Sequence, residues 1–246
     1  MENFFESSDT IGTGFGFSPF GALHLCWLFA FVLLSVVVCI IYRRADEKKR
    51  KTIRIVIAAL LIADELVKIV GLASFGNYTA GYLPFHLCSI NIFVIMAHAF
   101  HPTKTLSNFL YTVCIPASLA ALLFPTWTEL PLLNFMHIHS FTVHILLAIY
   151  PLMITFAGEV SPKLKDLPKT LLLLWNFVGV ALFANLIFDT NFMFFKEASK
   201  GNPLYYFEQA FGNHLIGYPV IIFAVLVVMY GSLYLALAIK RKCEAR

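Results

Sequence analysis

The sequence predicts an all-α fold, a polytopic membrane helix bundle of seven transmembrane helices. Three observations predict it. Of 246 residues, 59% are hydrophobic and only 13% charged, and the mean hydropathy of +0.79 lies outside the balance of a soluble domain. Apolar runs near the ~20 residues that cross a bilayer recur along the chain. Basic residues gather in a few short clusters between those runs.

The runs read as spans over 19–42, 53–75, 84–100, 105–124, 137–157, 168–189 and 214–240. Together they make residues 1–246 a single seven-helix integral membrane domain. Of 18 Lys and Arg residues, 15 fall in 43–54, 104, 163–169 and 240–246. Cytosolic loops collect positive charge, so the amino terminus is expected outside and the carboxyl terminus in the cytosol, which requires an odd number of crossings. The expected location is the cell membrane, multi-pass. The net charge of +4 does not point to nucleic acid, because the basic run Arg43 to Arg54 abuts two apolar spans and serves as a topology anchor. Met1 to Ser18 carries Glu2, Glu6 and Asp9 rather than the basic start of a cleavable leader, so the first span is expected to stay. Four cysteines lie within spans and Cys243 in the basic tail, which leaves no external pair for a disulfide framework.

The first span opens with His24, Cys26 and Trp27, an interfacial set. The second carries Asp64, Glu65 and Lys68. Three charges within five positions must be paired and turned into the bundle, and the spacing allows Lys68 to meet either carboxylate on one helical face. They serve either as a packing salt bridge or as a polar wall for a headgroup or a proton relay. The third span, LPFHLCSINIFVIMAH, is the centre of the reading. Pro84 suits a first helical position, which sets Cys88 in the first turns, where the helix dipole favours thiolate. Cys88, Asn91 and His98 share a stripe, whereas His86 points elsewhere unless the first turn is irregular.

Pro116 is expected to kink the fourth span, where Ala117, Ser118, Ala120 and Ala121 permit close packing. The fifth begins with His137, His139 and His144. Their spacing matches no specific metal signature, so no metal and no cofactor is assigned, and His144, the deepest, is the candidate base. The sixth ends in DTNFMFF with Asp189 and Asn191. After Gly201-Asn202-Pro203, Leu204 to Ala210 is expected to form an interfacial amphipathic turn. The seventh is plainly apolar.

Polar groups from several spans thus reach one depth, as they would around an amphiphile-binding cavity opening to the outer leaflet. A thiol beside an imidazole is the minimum for acyl transfer, with Asn91, Asn191 or a histidine to hold the oxyanion. LPFHLC at 83–88, PASLAALLFPTW at 116–127, the stretch around His144 and NFMFF at 191–195 resemble, in order, patterns of the YwaF-like bacterial integral membrane proteins. That family is similar to eukaryotic transmembrane acyltransferases that remodel ether phospholipids through a membrane-embedded cysteine. The resemblance implies Cys88 as the acyl-carrying residue, with His86, His144 and Asn191 on the family's other polar positions. Here a phenylalanine follows the asparagine where a tyrosine is common, and His137 and His139 are additional.

The expected activity is remodelling of glycerophospholipids, with a phospholipid or lyso-phospholipid as substrate, Cys88 as nucleophile and His144 as base. The supporting set is His86, Asn91, His137, His139, Asn191, Asp64, Glu65 and Lys68. Two rival classes remain open at this stage. One is a proton-coupled transporter or polar-solute binder using Asp64, Glu65, Lys68 and the histidines. The other is a zinc-dependent lipid hydrolase with ligands from His137, His139, His144 and His214.

Overall fold

One helix with almost no exposed surface is the pillar of the larger part of this fold. It runs from Phe135 to Phe156, and only Phe156 in it is exposed. The computed structural model describes residues 4–6, 11 and 14–244, and among these it contains helices and no strand.

In chain order the α-helices are α1 Ala22–Arg44, α2 Glu47–Ser74, α3 Leu87–Phe100, α4 Lys104–Phe109, α5 Ile115–Leu123, α6 Phe135–Phe156, α7 Leu167–Phe188, α8 Pro203–Phe211 and α9 Gly217–Glu244. A π turn, Leu110–Cys114, joins α4 to α5 in one rod. Six segments are long and apolar enough to cross a membrane: Ala22–Arg44, Ala80–Phe100, Lys104–Leu123, Phe135–Phe156, Leu164–Phe188 and His214–Cys243. This is a multi-pass membrane protein. The remaining long helix, α2, has 28 residues, but Asp64, Glu65 and Lys68 interrupt its apolar run.

The chain divides into two units, Met1–Lys196 and Glu197–Arg246. In the first, α6 packs against α1, α2, α3, α5 and the π turn. Its start is fixed by Asn134, whose Oδ1 accepts from the backbone N–H of Met136 at 2.8 Å and of His137 at 3.3 Å. The exposed apolar side chains of α1 and α7, among them Phe29, Leu172, Trp175 and Leu186, are the lipid-facing surface.

Two prolines shape the core. Pro116 lacks an N–H and crowds the carbonyl four residues before it. The helix answers by widening over the preceding turn, and Ile115 N–H bonds back to Leu110 O. The kink expected from the sequence is therefore a π turn just before the proline. Pro151 likewise leaves the Leu147 carbonyl without its helical donor, and the Cys114 thiol of the π turn donates to it at 3.3 Å. The turn that Pro116 widens thus supplies the donor that Pro151 takes away.

At the basic end of this unit Glu159, just after α6, accepts from Tyr42 Oη–H at 2.9 Å, from Arg54 at 3.0 Å and from Arg50 at 3.3 Å. Arg50 also donates to the Tyr42 and Arg43 carbonyls, tying the α1–α2 turn to the end of α6. At the opposite end, Phe5 stacks on Phe75 at 4.9 Å, while its carbonyl accepts from Asn77 Nδ2–H. Gly71 makes room for it: a Cβ there would lie 2.3 Å from the Phe5 ring. The Asp9 and Glu2 of the acidic start lie outside the described residues.

In the second unit, Asn202 Oδ1 caps α8 by accepting from Leu204 N–H, and Pro203 takes the first helical position. The expected interfacial turn is thus a full helix, with Tyr206 and Phe211 exposed. It closes at Gly212, whose φ of +69° suits a residue without a Cβ.

Candidate functional site

The polar groups singled out by sequence lie in the first unit, where α2, α3 and α6 meet, and in the loop that follows α7. α2 brings a buried stripe of Ile57, Ala58, Leu61, Glu65, Lys68 and Leu72, at helical spacing. Glu65 and Lys68 are each 4% exposed and form an ion pair at 2.6 Å. Asp64 is not part of it. One position round the helix, it turns to α6, where its carboxylate lies 2.5 Å from His139 Nδ1. The spacing allowed Lys68 either carboxylate, and the approach of α6 decides between them.

α3 begins later than expected. Its first residue is Leu87 rather than Pro84, and His86 is the residue before it, extended at φ −67° and ψ 150°. His86 is held there from outside the helix. Its Nδ1 accepts from Met193 N–H at 3.3 Å, and the rings of Phe192 and Phe194 pack on it at 5.2 and 5.8 Å. With 14 residues, α3 is about 21 Å long at 1.5 Å per residue, shorter than the ~30 Å hydrocarbon core. The apolar segment long enough to cross, Ala80–Phe100, therefore includes the short turn and extended residues that precede α3.

Cys88 is the second residue of α3 and is half-buried. No side chain caps this turn, so its amides remain available to a developing negative charge. Asn91, one turn further along α3, is 1% exposed, and neither polar atom of its side chain has a protein partner. A buried amide in that condition is costly unless something else bonds it.

Three histidines open α6 and they differ in kind. His137 is fully buried, with Nε2 accepting from Trp27 Nε1–H at 3.1 Å and Nδ1–H donating to Leu130 O at 3.0 Å. Both nitrogens are occupied, which makes it a clamp between α1 and the loop before α6. His139 holds Asp64. His144 is half-buried, donates Nδ1–H to Ser140 O at 2.6 Å, and lies flat against Trp127. That bond fixes the tautomer, so Nε2 carries the free lone pair a base needs.

Other sequence candidates are accounted for locally. His24 accepts from Phe20 N–H at 2.8 Å and donates to Leu122 O at 2.7 Å, as an interfacial structural histidine does. His98 joins Tyr150 to Ser107. Asn191 Oδ1 accepts from Lys196 N–H at 2.9 Å, and Lys196 pairs with Asp189 at 2.5 Å, holding that carboxyl below its ordinary range. Among the described residues no group of three His, Cys, Asp or Glu side chains is arranged to hold a metal.

The match to known proteins runs over most of the chain. Residues 19–230 fit the TMEM164 family. The chain belongs to that family. The matched range holds every residue of the TMEM164-type bundle from the first span to Tyr230, including Cys88, His144 and the NFMFF loop. No curated protein and no solved structure matches the chain.

Two functional features escaped sequence reasoning. Trp127 read only as part of the loop before the fifth span, yet it forms one wall of the His144 ring; its indole is 17 residues away in sequence, beyond any helical pattern. Asn185, which organises the loop carrying Met193, read only as a polar residue in a span.

Proposed function

We propose that this TMEM164-family protein is a membrane-embedded acyltransferase that remodels glycerophospholipids through Cys88, with His144 as base. The observation that carries it is the half-buried thiol in the uncapped first turn of α3; His144, in the same unit, keeps Nε2 free for a proton. The resemblance to cysteine-dependent membrane acyltransferases supports the same reading.

In the first half-reaction His144 Nε2 takes the thiol proton as sulfur attacks the ester carbonyl of a donor phospholipid. The tetrahedral oxyanion is held by the first-turn amides of α3 and by the Asn91 amide. Collapse breaks the ester C–O bond, and the leaving lyso-lipid alkoxide takes the proton from His144. The acyl group is now a thioester on Cys88. In the second half-reaction His144 deprotonates the hydroxyl of an incoming lyso-phospholipid, that oxygen attacks the thioester, and the sulfur leaves and recovers the proton. Lys68 offers its cationic charge to the headgroup phosphate.

For the membrane arrangement we infer α2 as the seventh crossing, with the amino terminus outside and the carboxyl terminus cytosolic in the cell membrane. An impermeant maleimide applied to intact cells should then leave Cys243 unlabelled. The reaction is tested with purified protein and a defined mixture of phospholipid and lyso-phospholipid. Wild type should redistribute acyl chains and yield an acyl-Cys88 peptide that hydroxylamine cleaves. Cys88→Ala should abolish both without unfolding, and unchanged turnover would remove the assignment.

A second reading, a polar-solute or proton-coupled carrier, is favoured by the buried Lys68–Glu65 ion pair and the adjacent Asp64–His139 contact. It predicts proton-linked flux in liposomes that survives Cys88→Ala.

A further inference from the structure

Among the described residues, three of the four non-glycine positions with positive φ fall in the six residues after α7. Asp189, Met193 and Phe194 have φ of +51°, +55° and +59°, a region that side chains with a Cβ rarely adopt and that persists only where surrounding structure imposes it. The imposing group is Asn185, one turn before the end of α7 and 4% exposed. Its Oδ1 accepts from Phe192 N–H at 2.6 Å and from Thr190 Oγ1–H at 3.1 Å, and its Nδ2 donates to Phe192 O at 3.0 Å. One amide thus holds both sides of the Phe192 peptide linkage and folds the loop back on the helix.

The consequence reaches α3. The folded loop directs Met193 N–H at His86 Nδ1 and sets the Phe192 ring edge-on against that imidazole, with planes 79° apart. A neutral imidazole that accepts at Nδ1 carries its proton on Nε2. His144 is the mirror case, since it gives Nδ1–H to Ser140 and keeps Nε2 free. Of these two histidines, one is fixed as a donor at Nε2 and the other as an acceptor there.

We infer that Asn185 is a positioning residue: through the Phe192–Met193 loop it locks His86 in the Nε2–H tautomer and supplies a hydrogen-bond donor at the start of α3, two residues before Cys88. This rests on the acyltransfer reading for its catalytic meaning, while the tautomer lock stands on geometry alone. In that reaction His86 Nε2–H bonds the donor ester oxygen, and no proton leaves it. Neither aspartate nor leucine replaces the asparagine: aspartate has no donor for Phe192 O, and leucine lacks all three contacts.

The test uses the full chain in lipid nanodiscs labelled with nitrogen-15 histidine, with the His86 signals identified by their loss in His86→Gln. Wild type should show a single neutral His86 form, protonated at Nε2 and bare at Nδ1. Asn185→Ala should convert it to a mixture of tautomers and lower kcat for lyso-phospholipid acylation about tenfold or more with KM within about threefold, the loss of one aligned transition-state hydrogen bond. Asn185→Asp, which keeps both acceptor bonds, should fold if alanine does not and give an intermediate mixture. An unchanged His86 tautomer in both variants overturns the inference, whatever happens to kcat. A shifted tautomer with unchanged kcat overturns the catalytic part. If wild type transfers no acyl chain, the tautomer result still decides the lock, and the failure belongs to the acyltransferase reading.

Discussion

The Trp127 indole lies flat on the His144 imidazole, with ring centroids 5.3 Å apart and planes 8° from parallel. Phe141 meets the same indole edge-on at 5.3 Å. The proposed base is therefore fixed in plane by a residue from the loop before α6 and fixed in rotation by Ser140 O. Trp127→Ala should free the ring and lower kcat about tenfold, since removing 1.4 kcal/mol of orientation has that effect. Trp127→Phe keeps a stacking face and discards a buried indole N–H that has no partner, so it should retain activity. Steady-state kinetics on the two variants separates stacking from bulk.

Lys68 and Glu65 make a buried pair whose members are unequal to single removal. Lys68→Met leaves a buried carboxylate without its partner and should destabilise the fold by about 3–5 kcal/mol. The double variant Lys68→Met with Glu65→Leu should recover most of that loss, because both desolvated charges are gone. If the lysine serves only packing, the double variant will also recover acyl transfer. The proposed headgroup role predicts that it will not. Thermal unfolding in detergent together with lyso-lipid turnover gives both numbers.

His137 and His144 look alike in sequence and should behave oppositely. His137→Phe loses the bonds to Trp27 and Leu130 and should cost about 1–3 kcal/mol of stability, with kcat of the folded fraction unchanged. His144→Gln should leave the melting temperature nearly unaltered and remove acylation of Cys88.

Gly71 exists as glycine because the Phe5 ring occupies the space a side chain would take. Gly71→Val should displace Phe5 from α2 and break the Asn77 bond to its carbonyl. Hydrogen exchange should then quicken at Phe4 to Glu6 while α6 stays protected. Equal protection in both proteins would mean that the amino-terminal segment is held elsewhere.

At the basic end, Glu159→Ala should release Tyr42, Arg50 and Arg54 together. Because these charges are partly solvated, the cost is about 1–3 kcal/mol rather than that of a fully buried pair. Turnover by the folded protein should be unaffected, because no proposed site residue touches this cluster.

What the sequence by itself determined is what depends on neighbours along the chain. Hydropathy over ~20 residues located the apolar spans, Gly201-Asn202-Pro203 marked a break before the last amphipathic stretch, and Pro116 marked the break in the fourth segment, because these effects act within a few turns. The same local logic required that Asp64, Glu65 and Lys68 be paired. It also placed Cys88 in the first turn of its helix, although not the residue at which that turn begins.

Tertiary structure alone decided the partners. Asp64 goes to His139 rather than Lys68, His137 is spent on Trp27 and Leu130, Trp127 walls His144, and α3 starts at Leu87 because Met193 and its neighbouring rings hold His86 extended. These contacts join residues from 7 to 110 positions apart, and all but His137–Leu130 lie 17 or more apart. Periodicity carries no information about such pairs, since they are set by which helix face packs on which and by where buried donors and acceptors find one another.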